Sequence, residues 1–141
     1  EVLMGTSTAG IAHAAIAAHI LGLPMGYVRG AAKDHGRGNR IEGRLLPGQK
    51  TVVIEDLIST GGSVLDTVEA LRQEGAEVLG IVSIFTYQFE EAERRMSETG
   101  VKNISLCDLD ALMQAAELKG YITAEQRKMV EAFRADPKDW R

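Results

Sequence analysis

Short runs of β-branched and aliphatic residues alternate along this chain with stretches in which apolar positions return every three or four residues. Val2, Leu3 and Met4 form the first run. An alanine-rich stretch over 11–21, stopped by Gly22, predicts the helix behind it. Residues 24–28 predict a second short strand. Val52, Val53 and Ile54 predict a third, buried in a parallel sheet, and Val64, Leu65, Val68 and Leu71 then recur at helical spacing until Gly75. Residues 78–85 predict another buried strand, 89–98 a charged amphipathic helix ended by Gly100, and 103–106 a short strand. Asp108 is placed to cap a helix reaching Lys119, and Thr123 with Gln126 forms a capping box for a last helix to about Ala135. Strands alternating with helices predict an α/β fold with a mostly parallel open sheet flanked by helices. No repeat, low-complexity tract or linker divides the 141 residues, so 1–141 reads as a single domain.

Residues 29–44 break the pattern. They hold four glycines and no apolar period, with five basic residues (Arg29, Lys33, Arg37, Arg40, Arg44) against Asp34 and Glu42, a net of +3 inside a chain of net charge −4. Loops of this length without structure of their own are lids or binding loops, or else disordered. The local reversal of charge, with Gly, Lys, Arg and His concentrated together, favours a mobile lid over an anionic ligand.

The overall net charge of −4 argues against broad nucleic-acid binding. Cys107 is the single cysteine and has no partner for an internal disulfide; with no signal-like segment, a cytoplasmic setting is expected. The longest apolar run, 78–85, is too short to span a bilayer, so no membrane association is expected. His13 and His19 stand six apart, which is not the spacing of a helical metal pair, and Trp140 reads as a docking side chain. Glu1 leads at once into a core-like strand, which reads as a truncated chain whose upstream segment is missing.

The chemistry concentrates where the third strand meets its helix. Thr51-Val52-Val53-Ile54 runs into Glu55-Asp56-Leu57-Ile58 and then Ser59-Thr60-Gly61-Gly62-Ser63. A turn of small residues at a helix N-terminus aims backbone N–H groups at one point and suits a phosphate. Open α/β sheets place ligands at such turns, outside the carboxyl ends of their strands. Two carboxylates would repel a bare phosphate, but they suit hydroxyls, a hydrated cation or a centre that becomes positive. A sugar phosphate meets both demands; the competing reading is a strand ending in solvated acids before an ordinary glycine turn. The absence of G-x-x-x-x-G-K-[ST], and of G-x-G-x-x-G opening a helix, argues against nucleoside-triphosphatase and dinucleotide readings.

The stretch from Val52 to Ser63 resembles the diphosphoribosyl-binding motif of type I phosphoribosyltransferases. Tyr27-Val28-Arg29 followed by Lys33-Asp34-His35-Gly36 is similar to the catalytic loop of the orotate phosphoribosyltransferases in particular. Gly5-Thr6-Ser7-Thr8-Ala9-Gly10-Ile11 resembles the early loop of their bacterial members, and Ile84-Phe85-Thr86-Tyr87 their later strand end. The resemblance extends to about Tyr121. It implies transfer of a 5-phosphoribosyl group from 5-phosphoribosyl 1-diphosphate to orotate, giving orotidine 5′-monophosphate and diphosphate in pyrimidine synthesis.

On that resemblance, residues Glu55, Asp56, Leu57, Ile58, Ser59, Thr60, Gly61, Gly62 and Ser63 bind substrate. Thr60 to Ser63 hold the 5′-phosphate, Glu55 and Asp56 the ribose hydroxyls, and Ser59 stands at the orotate position. Arg29, Lys33 and His35, with Asp56, are the implied catalytic residues, the three bases closing over the diphosphate within a catalytic loop spanning 29–44. Mg²⁺ is implied, held mainly by substrate and water rather than by protein ligands. A homodimer sharing the loop across its interface is implied as well. The chain departs from some members at Gly30, Ala9 and Tyr87, where those carry basic residues, and their N-terminal hood segment is expected to be missing from these residues. Two other readings use the same fold. One is a purine-base phosphoribosyltransferase, against which the Lys33-Asp34-His35-Gly36 loop counts; the other is a phosphoribosyl-diphosphate-sensing regulator, which calls for a basic face or an added DNA-binding domain.

Overall fold

The computed structural model describes residues 1–30 and 40–137. Lys33, His35 and Trp140 lie outside the described residues. The chain runs β1 (Val2–Thr6), α1 (Ala9–Leu21), β2 (Met25–Val28), β3 (Ile41–Glu42), β4 (Lys50–Ile58), α2 (Gly62–Gln73), β5 (Glu77–Thr86), α3 (Glu90–Thr99), β6 (Asn103–Asp108), α4 (Leu109–Leu118) and α5 (Ala124–Ala135). The strands form one six-stranded sheet in the order β3-β2-β1-β4-β5-β6, parallel except where β3 pairs antiparallel with β2. The α/β expectation is met. Helices start where local chemistry places them: the Asp108 side chain accepts the Ala111 N–H at 2.8 Å, and Thr123 with Gln126 forms the reciprocal capping box.

β1 is buried along its whole length because it lies at the centre of the sheet. Its side chains alternate between two cores, as a strand's period of two requires. Val2 and Met4 join Val53, Val64, Val68 and Leu71 under α2, whereas Leu3 joins Ile54, Ala14 and Ala18 under α1. Alanine and glycine let α1 lie close to the sheet. A Cβ on Gly10 would stand 2.5 Å from the Ile54 carbonyl oxygen. Beyond α1 the same face is open at the sheet edge, where Ile104 and Leu106 of β6 are 68% and 76% exposed.

Of the boundaries that differ from the sequence reading, three bear on the site. Within 29–44, Ile41 and Glu42 form an edge strand whose Ile41 is buried in the core, so the far end of that segment is ordered by pairing with Tyr27 and Val28. The strand predicted to end at Ile54 continues to Ile58, because β5 pairs with it through Ile58↔Thr86. β1 likewise runs past Met4 to Thr6, held by β2 through Thr6↔Val28.

Candidate active site

The strand order reverses between β1 and β4, and the ladder between them stops at Gly5↔Ile54, four residues before β4 ends. Residues 55–58 therefore have β5 on one side and a crevice on the other. This is the topological switch point at which open α/β sheets bind ligands. Two turns overlook it. The turn after β1 is tied to the end of β2, with Ser7 donating to the Val28 carbonyl through its N–H (3.2 Å) and its Oγ (2.6 Å). The turn after β4 runs over Ser59 and Thr60 to Gly61, the N-cap of α2.

Gly61 has φ +77, a left-handed conformation that favours glycine, and it brings no side chain to cap the helix. The first N–H groups of α2 are thus left for a ligand. A cavity of about 70 Å³ opens there, lined by residues 57–64 and by Glu55. The residues expected to bind phosphate, Thr60 to Ser63, do share one concave wall.

The two acids have different environments. Glu55 is 6% exposed and lies in the lining of that cavity, while Asp56 is only half-buried. Burial, and then the neighbouring Asp56 carboxylate, push the Glu55 carboxyl up to about 7, against a smaller opposite pull from the Asp56 N–H that Glu55 Oε1 accepts at 2.9 Å. A carboxyl largely protonated below neutral pH no longer repels a phosphate in the adjoining turn.

This raised value has a stability consequence. Between the ordinary value of 4.5 and about 7 the folded chain keeps a proton that the unfolded chain has released. Stability therefore falls as pH rises through that window. Glu55→Gln, which cannot titrate, should gain on the wild type by up to about 3 kcal/mol across it. Urea denaturation of both proteins from about pH 5 to about pH 8 measures the difference, and a constant gap would mean that Glu55 does not titrate there.

At the other mouth of the crevice, Arg29 is exposed and pairs with Glu42 of β3 at 3.2 Å. Its N–H donates to the Arg40 carbonyl at 2.8 Å, and Arg40 reaches back to the Arg29 carbonyl and forward in a two-pronged pair with Asp66 of α2. These contacts join Arg29 to Arg40, and Arg40 to α2. Tyr87 turns into an aromatic cluster, stacked on Phe89 with centroids 5.2 Å apart and edge-on to Phe85 and Phe133. Its N–H donates to the Ile58 carbonyl at 3.0 Å, which places it beside the crevice.

Sequence reasoning missed Asp66 and Arg95 as parts of this site, and counted Arg40 only as one of the bases of 29–44. Arg95 of α3 donates to the Thr60 carbonyl at 3.2 Å. Each partner lies 26 or more residues away along the chain, so no local pattern signals them. A larger open groove of about 660 Å³ runs between α3 and β6. Asn103 and Ser105 of its lining close a ring of mutual hydrogen bonds with the buried Ser83, Ser83 to Asn103 at 3.1 Å, Asn103 to Ser105 at 2.8 Å and Ser105 with Ser83 at 2.6 Å.

Comparison with known proteins gives the family and the fold. The phosphoribosyl transferase domain family matches residues 1–118. An orotate phosphoribosyltransferase of Streptococcus thermophilus (strain CNRZ 1066) is 51% identical over 140 residues, covering 99% of this chain and 67% of the relative. The crystal structure of orotate phosphoribosyltransferase from Aeropyrum pernix superposes with a TM-score of 0.75 at 30% identity, covering 86% of this chain and 66% of that one. The Mycobacterium tuberculosis H37Rv orotate phosphoribosyltransferase in complex with 5-phospho-α-D-ribosyl 1-diphosphate gives 0.64 at 29% identity, over 78% of this chain and 64% of that one. The chain spans about two thirds of the length of these relatives.

Proposed function

This chain belongs to the orotate phosphoribosyltransferases of the phosphoribosyl transferase domain family, and from that membership we propose that it moves the 5-phosphoribosyl group of 5-phosphoribosyl 1-diphosphate onto orotate, forming orotidine 5′-monophosphate and diphosphate on the route to UMP. The observation that carries the reading is the phosphate-sized turn of residues 59–63 with the Glu55-Asp56 pair beneath it, both at the strand-order reversal. In the proposal the N–H groups of Gly61, Gly62 and Ser63 and the hydroxyls of Thr60 and Ser63 hold the 5′-phosphate. Asp56 binds the ribose hydroxyls and faces the anomeric carbon, which turns positive as the bond to diphosphate lengthens. Glu55, largely buried in the wall of that cavity, accepts the Asp56 N–H and holds Asp56 in place. Ser59 fixes the orotate edge. Arg29, Lys33 and His35 meet the charge that collects on the leaving diphosphate, and closure of their segment keeps water from the ribosyl centre.

Mg²⁺ belongs to the proposal. The half-buried Asp56 carboxylate offers an oxygen donor at the crevice, which fits an ion held mainly through substrate oxygens and water. When bound it supplies charge neutralisation on the diphosphate. We also propose a homodimer in a cytoplasmic setting; exposed Ile16, Ile20 and Leu21 on α1 offer apolar surface for a second copy. Among the described residues no helix is long and apolar enough to cross a membrane.

The test is orotidine 5′-monophosphate formation by the full-length protein with 5-phosphoribosyl 1-diphosphate, orotate and Mg²⁺. Chelation with EDTA should abolish turnover and added Mg²⁺ restore it. Product with adenine or hypoxanthine and none with orotate would move the protein to the purine-base enzymes.

A further inference from the structure

We infer that Arg95 is a positioning residue for the phosphate turn, holding its glycine peptides in the orientation that binds an anion. The inference rests on the reading of residues 59–63 as the 5′-phosphate site. Arg95 Nη1 donates to the Thr60 carbonyl at 3.2 Å. In a trans peptide the carbonyl and the following N–H point in opposite directions. With the Thr60 oxygen drawn toward α3, the Gly61 N–H is directed away from α3. The cavity is lined by residues 57–64 and Glu55 and by no residue of α3, so that N–H faces the side on which the cavity opens. Glycine peptides need such a hold: Gly61 and Gly62 carry no side chains to favour one orientation of the peptide plane over its flipped alternative. Ala92 and Met96 complete the backing, each 3.7 Å from where a Gly61 Cβ would stand.

The charge of Arg95 points the same way. Its neighbour Arg94 pairs with Glu98 at 2.6 Å, but among the described residues no carboxylate pairs with Arg95. Its Nη1 instead stands 3.5 Å from where a Gly62 Cβ would be, at the N-terminus of α2. A guanidinium beside the positive pole of a helix is an unfavourable pairing on its own. A dianionic phosphate in the turn reverses that sign, since both positive poles then favour it.

Arg95→Gln removes the charge and the charge-assisted bond, and Arg95→Lys keeps the charge with one donor. For Arg95→Gln the KM for 5-phosphoribosyl 1-diphosphate and the Kd for ribose 5-phosphate should each rise about tenfold or more, with the orotate KM within about twofold of wild type. Arg95→Lys should recover most of the loss, and Arg94→Gln should change neither constant. A purely structural role would shift both KM values together, or lower thermal stability without separating them, and either result overturns the inference. If Arg95→Gln does not fold, Arg95→Met, which keeps the aliphatic stem without charge or donor, decides it: a ribose 5-phosphate Kd equal to wild type overturns the inference, and a rise of about tenfold with the orotate KM within about twofold of wild type upholds it. A wild-type protein that binds no ribose 5-phosphate removes the functional reading and this inference together. A wild type that binds it, beside an Arg95→Gln variant of equal affinity, removes this inference alone.

Discussion

Asp56→Asn is expected to lower kcat by about 10²- to 10³-fold while changing the KM for 5-phosphoribosyl 1-diphosphate far less. Asparagine is nearly isosteric and still accepts a hydrogen bond from a ribose hydroxyl, so ground-state binding survives. What it lacks is the negative charge, which matters only once the anomeric carbon turns positive. Asp56 is half-buried, beyond the point where the β1 ladder stops, so its charge acts in a crevice that substrate and lid would close to water. The adjacent acid provides the contrast. Glu55 sits behind the turn with its carboxyl pushed up to about 7, so Glu55→Gln replaces a group that already carries a proton for part of the time at neutral pH. Its rate effect should be much smaller than that of Asp56→Asn. Steady-state kinetics on the three proteins, with matched thermal melts to show equal folding, checks both statements. Equal losses in the two variants would mean that the acids act as one unit. A loss within about threefold for Asp56→Asn would remove Asp56 from the charge-stabilising role. Lys33→Ala, on the leaving-group side, should also slow turnover strongly.

What was legible in the sequence is what local chemistry decides. The β-branched run Val52-Val53-Ile54, the capping residues Asp108 and Thr123, and the helix-stopping Gly22 and Gly100 each act on neighbours in sequence, so each can be read there. The phosphate turn is legible for the same reason: residues 59–63 are contiguous, and their smallness is their function. The different environments of Glu55 and Asp56 were not legible, because an acid pair after an apolar run looks like a strand end. Only the pairing of 55–58 with β5 carries the strand further and buries Glu55 behind the turn. Ile41 and Glu42 were hidden for a related reason. Two residues carry no period, and their strand exists only against Tyr27 and Val28. The Arg40–Asp66 and Arg95–Thr60 contacts join separate helices and loops, so charge counting along 29–44 finds Arg40 as one of five bases without showing that it pairs with α2.

Gly10→Ala tests how tightly the crevice is built, because two general effects predict opposite signs. In the first turn of a solvated helix, replacing glycine by alanine stabilises by roughly 0.5–1 kcal/mol through the lower entropy of the unfolded chain. Here the new Cβ would stand 2.5 Å from the Ile54 carbonyl oxygen and 3.4 Å from its carbon. The obstacle is backbone in a central strand, so no flexible side chain can swing aside. Relief requires α1 to move off the sheet, opening the contacts of Ala14 and Ala18 with Leu3 and Ile54. Overpacking of a core costs about 1–3 kcal/mol and more against fixed backbone, so the packing penalty should outweigh the helical gain and leave a net loss of about 2 kcal/mol. Ile54 directly precedes Glu55 and accepts from Thr6 Oγ1 at 3.4 Å, so the same displacement reaches the acid pair. Gly10→Ala should therefore lower both the urea midpoint and kcat. By contrast, Gly22→Ala at the far end of α1 meets no atom within 4 Å, and it bears only the strain of φ +64. It should lose stability while leaving kcat unchanged. If Gly10→Ala raised the midpoint, helix propensity would have won, and α1 would not be seated on the Ile54 carbonyl as closely as described.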